Sequence, residues 1–120
     1  MRRQRGTIYF TDSQVVLVKP KDGVRFQLDE LQKAVQGYIE QVPALDRSTT
    51  VWANEESWLQ EPVPPPNPHA QSVVAVDKVL TVDGTIRGNM IGIYTIKPDE
   101  DANEVDKGRV TVEEAYAVRG

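Results

Sequence analysis

The chain has 120 residues, with 14 Lys and Arg against 18 Asp and Glu, so its formal net charge is −4. That balance argues against a protein whose main work is covering phosphates. With no cysteine and one histidine, disulfides, thiolate nucleophiles and zinc-finger chemistry are excluded, and any site holds at most one imidazole.

A chain of this length reads as a single domain, 1–120, with enough residues for an ordinary core. No apolar run approaches the roughly 20 residues of a membrane span, and no signal-peptide pattern opens the sequence. The expectation is a cytoplasmic protein with no membrane association and no cofactor.

Residues 1–6 carry Arg2, Arg3 and Arg5 and read as a flexible basic terminus. Thr7–Phe10 and Val15–Lys19 are rich in β-formers, with a turn available at Asp12-Ser13. Pro20-Lys21-Asp22-Gly23 is the stronger turn, because proline presets its own φ and glycine accepts the left-handed position. The spacing therefore predicts a hairpin of Val15–Lys19 with Val24–Gln27.

Apolar residues at Leu28, Leu31, Ala34, Val35, Tyr38, Ile39 and Val42 keep one helical face. They predict a helix over Leu28–Val42, opened by Asp29 and Glu30 and stopped by Pro43. Gly37 inside it points to close packing against a neighbouring backbone or strand, with ligand approach as the alternative. Thr49–Ala53 reads as a strand and Asn54–Ser57 as a polar turn. Residues 61–70 form a Pro-rich surface loop, its Pro64-Pro65-Pro66 run favouring extended backbone.

Val73–Val76 resumes strand character. Asp83-Gly84 marks a hairpin between Leu80–Val82 and Thr85-Ile86. Met90–Ile96 is apolar on both faces, as a central strand is. Residues 98–108 read as an acidic, mobile loop. Thr111 and Glu114 form a capping-box pattern for a short helix through Val118, with an edge strand as the alternative.

Few residues point to chemistry. Glu55 and Glu56 adjoin, with Glu40 close if the strand packs beside the helix, and paired carboxylates serve acid–base work or magnesium. The competing reading is a solvated turn. His69 is the one imidazole available as a base, but no partner stands at a catalytic spacing. Asn67 fits a turn residue that bonds local backbone or a ligand contact. Trp52, Trp58 and Tyr94 could stack on bases; without an interleaved basic stripe, core or interface packing is preferred. Gly84, Gly88 and Gly92 lack nucleotide-loop spacing. No metal site is expected.

Leu31–Val42 with its Gly37-Tyr38-Ile39-Glu40, then Asn54-Glu55-Glu56, Asn67, Ala70 and Ile86-Arg87-Gly88-Asn89, together resemble domain of unknown function 3846. That family occurs in phage, plasmid and bacterial proteins, so the resemblance implies a mobile-element association, and it brings no established activity. It also singles out Tyr38, Glu40, Asn54, Glu55 and Asn67. Two departures stand out. Ser57 occupies a position where the family usually has glycine, and Gln36 precedes Gly37 where the family often reads Gly-Gly.

The fold expected is α+β, with one main helix packed on a small, mostly antiparallel sheet and a short C-terminal helix or edge strand. The function expected is that of a small non-enzymatic accessory or interaction protein. It would meet a protein partner or a second copy of itself through Asn54–Trp58 and the Pro-rich loop, with Trp58 and Leu59 as anchors. One alternative is a ligand binder or enzyme using a carboxylate and amide pocket of Glu40, Glu55 and Asn67, with His69. A second is nucleic-acid association through the N-terminal arginines, which the charge disfavours.

Overall fold

Strand formation begins earlier than the basic composition of residues 1–6 suggests. In the computed structural model, which describes residues 2–78 and 85–119, strand β1 runs Arg3–Tyr9. A strand alternates its faces, so Arg5, Thr7 and Tyr9 share one side and Gln4, Gly6 and Ile8 the other. Arg5 is buried. Its Nε and Nη2 donate to the Asp106 carboxylate at 2.5 and 3.2 Å, and Nη1 donates to the Gln4 and Gly23 carbonyls at 2.6 and 3.0 Å. The expectation of a flexible terminus is thus corrected from Arg3 onward: its charge has a buried partner.

β2, Val15–Val18, pairs antiparallel with β1, Tyr9 opposite Val15 and Gly6 opposite Val18. The expected hairpin is therefore displaced by one partner. The Pro20–Gly23 turn does form, with Gly23 N–H donating to the Pro20 carbonyl. Two contacts keep Val24–Gln27 from pairing with β2. The outer edge of β2 is taken by Val110, whose N–H donates to Leu17 O while Lys19 N–H donates to Val110 O. Gln4 captures the returning chain instead: its N–H donates to Val24 O and its Oε1 accepts from Phe26 N–H.

Helix α1 covers Leu28–Val35, not Leu28–Val42. Glu30 starts it, accepting the Gln27 N–H at 2.7 Å and the Lys21 N–H at 2.9 Å. Gln36 ends it in the left-handed conformation, φ 61° and ψ 44°, and Gly37 N–H returns to Gln32 O. Ile39–Val42 becomes β3, antiparallel to β4, Thr50–Asn54. The β-branched Ile39 and Val42 suit a pleated surface. Four residues are too few for the apolar spacing alone to separate a 3.6 period from a period of two.

The central strand β5, Met90–Ile96, pairs with β1 over seven residues and with β4, as its two-sided apolar pattern implies. The sheet order is β2-β1-β5-β4-β3, antiparallel throughout. Ile8, Ile91 and Ile93 face α1 and α4, Val112–Arg119, in one core layer with Phe10, Phe26, Leu31 and Val35. Met90, Val51 and Val42 face a second layer with Ala70, Val74 and Ile86. The α+β architecture expected from the sequence is the one found.

Three connecting segments differ from expectation or lie beyond view. Val73–Val76 is not a strand: helix α2, Ala70–Val73, ends there, and Val74 makes one bridge to Ala44. Residues 98–108 are not a bare loop, because Asp101 caps helix α3, Ala102–Val105, and Asp106 holds Arg5. The Asp83-Gly84 hairpin turn lies outside the described residues. The Thr111 capping box is present: Thr111 Oγ1 accepts from Glu114 N–H and Glu114 Oε1 from Thr111 N–H. Among the described residues no helix is long and apolar enough to cross a membrane.

Candidate functional site

The end of α1, the start of β3 and the end of β4 meet at one corner of the sheet, and Asn54 joins them. Its side chain is buried. Nδ2 donates to the Val35 and Gln36 carbonyls, both at 3.2 Å, which are orphaned by the end of the helix. Oδ1 accepts from Glu56 N–H at 2.8 Å. The same amide explains Gly37: a Cβ there would lie 2.5 Å from Asn54 Nδ2. The expectation of close packing at Gly37 therefore holds.

Tyr38 and the segment after β4 lie side by side, since Glu55 N–H donates to Tyr38 O at 2.9 Å. Ser57–Leu59 then makes a single 3-10 turn, and Gln60 Nε2 returns to Gln36 O at 3.3 Å. Three large side chains stand out from this frame: Tyr38 is 63% exposed, Trp58 51% and Leu59 59%. Beside them lies a depression of about 270 Å³ lined by Gln32, Gly37 and Tyr38.

Glu40 lies on β3 opposite Ala53 and is half-buried. Desolvation, then the neighbouring Glu55 carboxylate, hold its pKa above the ordinary value. Glu55 itself is exposed, and no third carboxylate or histidine joins the pair among the described residues.

Asn67 and His69 lie elsewhere. Asn67 is buried, with Nδ2 donating to Tyr9 O and Gly88 O, both at 2.9 Å, and Oδ1 accepting from His69 N–H. It fastens the Pro-rich loop to the end of β1 and to the turn before β5, where Asn67 N–H also meets Ile86 O. The His69 ring packs against Tyr9 at 5.4 Å between centroids, and its buried Nε2 has no hydrogen-bond partner among the described residues. Tyr9 is on β1 and Glu40 on β3, with β5 and β4 between them. Three strand spacings, about 14 Å, separate the two groups, and Met90 and Ala53 fill the interval. The structure thus brings Tyr38, Glu40, Asn54, Glu55 and Trp58 to one corner and leaves Asn67 and His69 at another.

The chain's most demanding polar side chains escape a reading by sequence. Arg5, Glu30 and Asn89 are buried. Arg109 donates to Gly6 O, Val18 O and Tyr94 Oη, and Asn89 Nδ2 donates to Tyr116 Oη, which donates in turn to Ala34 O. Apart from Glu30, whose Gln27 partner is three residues away, the decisive partners are distant along the chain, so no local pattern announces them.

A family described as Domain of unknown function (DUF3846) has a model that matches residues 11–113. No curated protein and no solved structure matches the chain.

Proposed function

The chain belongs to the DUF3846 family, and we propose that it is a non-enzymatic interaction protein that binds a protein partner through Tyr38, Trp58 and Leu59. The observation that carries this reading is the pairing of exposed aromatic surface with a fixed backbone. Tyr38, Trp58 and Leu59 are each more than half exposed, while the chain beneath them is fastened by Asn54 and Gln60. Aromatic anchors on a pre-ordered frame lose little entropy on binding and supply most of an interface's energy. The segment that carries Trp58 and Leu59 also carries the exposed Glu55, Glu56 and Glu61, which favours a partner with an apolar socket edged by Lys or Arg.

The same reading makes Asn54 and Asn67 structural, because both amides are spent on backbone groups. It places the protein in the cytoplasm, in keeping with a cysteine-free composition. It also makes it an accessory of a phage or plasmid, on the resemblance of its Gly37–Glu40 and Asn54–Glu56 motifs.

A photo-crosslinking residue placed at position 58 in the native host tests the reading. A discrete protein adduct is expected from position 58, none from exposed position 107, and a much weaker one when Leu59→Asp is added. Equal adducts from 58 and 107, or none from 58, would overturn it. Once the partner is isolated, Trp58→Ala should weaken binding by about 2 kcal/mol, roughly thirtyfold.

A further inference from the structure

Helix α1 is short and begins at Leu28, so part of the sheet face beneath it goes uncovered. α1 and β4 run in the same direction: Asn54 reaches the helix C-terminus, and Thr50 and Trp52 lie by its first turns. There Phe26, Leu31, Trp52 and Ile93 form the floor of a groove of about 380 Å³ that opens to solvent. Phe26 seats closely on the sheet where β1 has glycine at position 6, since a Cβ there would come within 3.2 Å of the ring. Trp52 remains half-buried, its outer part facing the opening.

The rim is polar. Gln4 and Thr50 stand on the sheet side, Gln27 and Arg25 on the segment leading into α1. Arg25 is exposed, and among the described residues its guanidinium makes no ion pair and no hydrogen bond. Asp22 is the acidic group whose charge it feels, but that carboxylate is engaged elsewhere. Its Oδ1 accepts from Val24 and Arg25 N–H and its Oδ2 from Gln27 Nε2.

We propose that this groove is a binding site for a small aromatic anion, a planar apolar ring system carrying one carboxylate or phosphate. Each feature of that ligand answers one feature of the site. The Phe26 and Trp52 rings take a flat apolar body by offset or edge contact. The volume is in the range of natural small-molecule pockets, and the lining joins the apolar Phe26, Leu31, Trp52 and Ile93 to the polar Gln4, Arg25, Gln27 and Thr50. Arg25 presents a planar fork that matches carboxylate and phosphate oxygens, and among the described residues no side chain is hydrogen-bonded to it. The site is separate from the Tyr38–Trp58 surface and does not rest on the function proposed for it.

Amide chemical-shift titrations of the full chain test the assignment, with 1-naphthaleneacetate, 1-naphthyl phosphate and the neutral 1-naphthaleneacetamide as probes. Saturable shifts are expected at Gln4, Phe26, Leu31, Thr50 and Trp52 with the anions, at least about tenfold tighter than with the amide. Arg25→Gln should bring anion and amide to equal affinity. Thr50→Trp, which fills the groove from its half-buried rim, should abolish all three while leaving the rest of the spectrum in place. Preference for the carboxylate or for the phosphate identifies which anion the site takes. The proposal is overturned by equal affinity for anion and amide in the unaltered chain, by shifts centred elsewhere, or by no saturation at about 10 mM probe.

Discussion

Asn54 shows how much a single side chain can carry. One amide closes the helix C-terminus, sets the chain after β4 and fills the space above Gly37. Asn54→Ala leaves two carbonyls and one N–H without that partner in a largely buried place, so a loss of about 3 kcal/mol is expected in urea unfolding. Gly37→Ala should also destabilise, because the added methyl meets the Asn54 amide. Gln36 offers the opposite case. Its left-handed φ of 61° is a position glycine occupies without strain, and glycine often stands there in the family this chain resembles. Gln36→Gly should therefore raise stability by about 0.5–1 kcal/mol, visible as a higher urea midpoint at unchanged m-value. Glu40 adds a pH signature. Its folded pKa is raised by burial and then by Glu55, so its charged form is disfavoured in the folded state. Stability falls as pH rises from the ordinary glutamate range through the raised value. Glu40→Gln should be more stable than the parent at neutral pH and equal to it below about pH 3, where the Glu40 carboxyl is neutral in the folded and the unfolded chain alike.

Elements whose signals are local were legible in the sequence. The capping box at Thr111 found α4, and the two-sided apolar run found β5. The Leu28–Val35 spacing found α1 and Thr49–Ala53 found most of β4. Where two local readings competed, a distant partner decided. Tyr38–Val42 satisfies a helical face, yet β4 lies alongside and takes it as β3. Val24–Gln27 could have been a hairpin arm, yet Val110 already occupied the β2 edge. The candidate corner was partly legible, because Tyr38, Asn54 and Trp58 were singled out and stand on segments that the Asn54 amide and the Glu55 N–H to Tyr38 O bond join. The Trp52 groove was not, since it depends on where α1 starts relative to β4. The Arg5–Asp106 link is the strongest case of a long-range decision, joining β1 to the segment after α3 across 101 residues. Asp106→Ala leaves the guanidinium of Arg5 buried and uncompensated, and a loss of about 3 kcal/mol or more is expected. The double change Arg5→Met with Asp106→Leu removes both charges and should recover much of that loss. Denaturant midpoints of Arg5→Met, Asp106→Leu and the double variant give the coupling directly.

At the scale of the molecule, the two core layers share one sheet, and β1 is its least expendable edge of sequence. It lies second in the order, hydrogen-bonded to β2 on one side and β5 on the other. Its first residues meet Ile96, Thr95 and Tyr94 of β5. Gln4 holds the Val24–Phe26 segment that leads into α1, and Arg5 holds Asp106 and Gly23. Both faces of the sheet are therefore tied to residues 3–5. Removing residues 1–5 strips three strand pairs, a buried ion pair and the anchor of the α1 entry segment. Each lost link costs about 1 kcal/mol or more, against a total stability of about 5–15 kcal/mol for a domain. The truncated chain should show a greatly lowered urea midpoint and faster amide exchange in β5, α1 and the 105–109 segment together. Arg2→Ala, which changes the same terminal charge without touching those links, should stay within about 0.5 kcal/mol of the parent. If truncation and Arg2→Ala leave the midpoint equally unchanged, the terminus contributes charge alone and the coupling of both core layers through β1 fails.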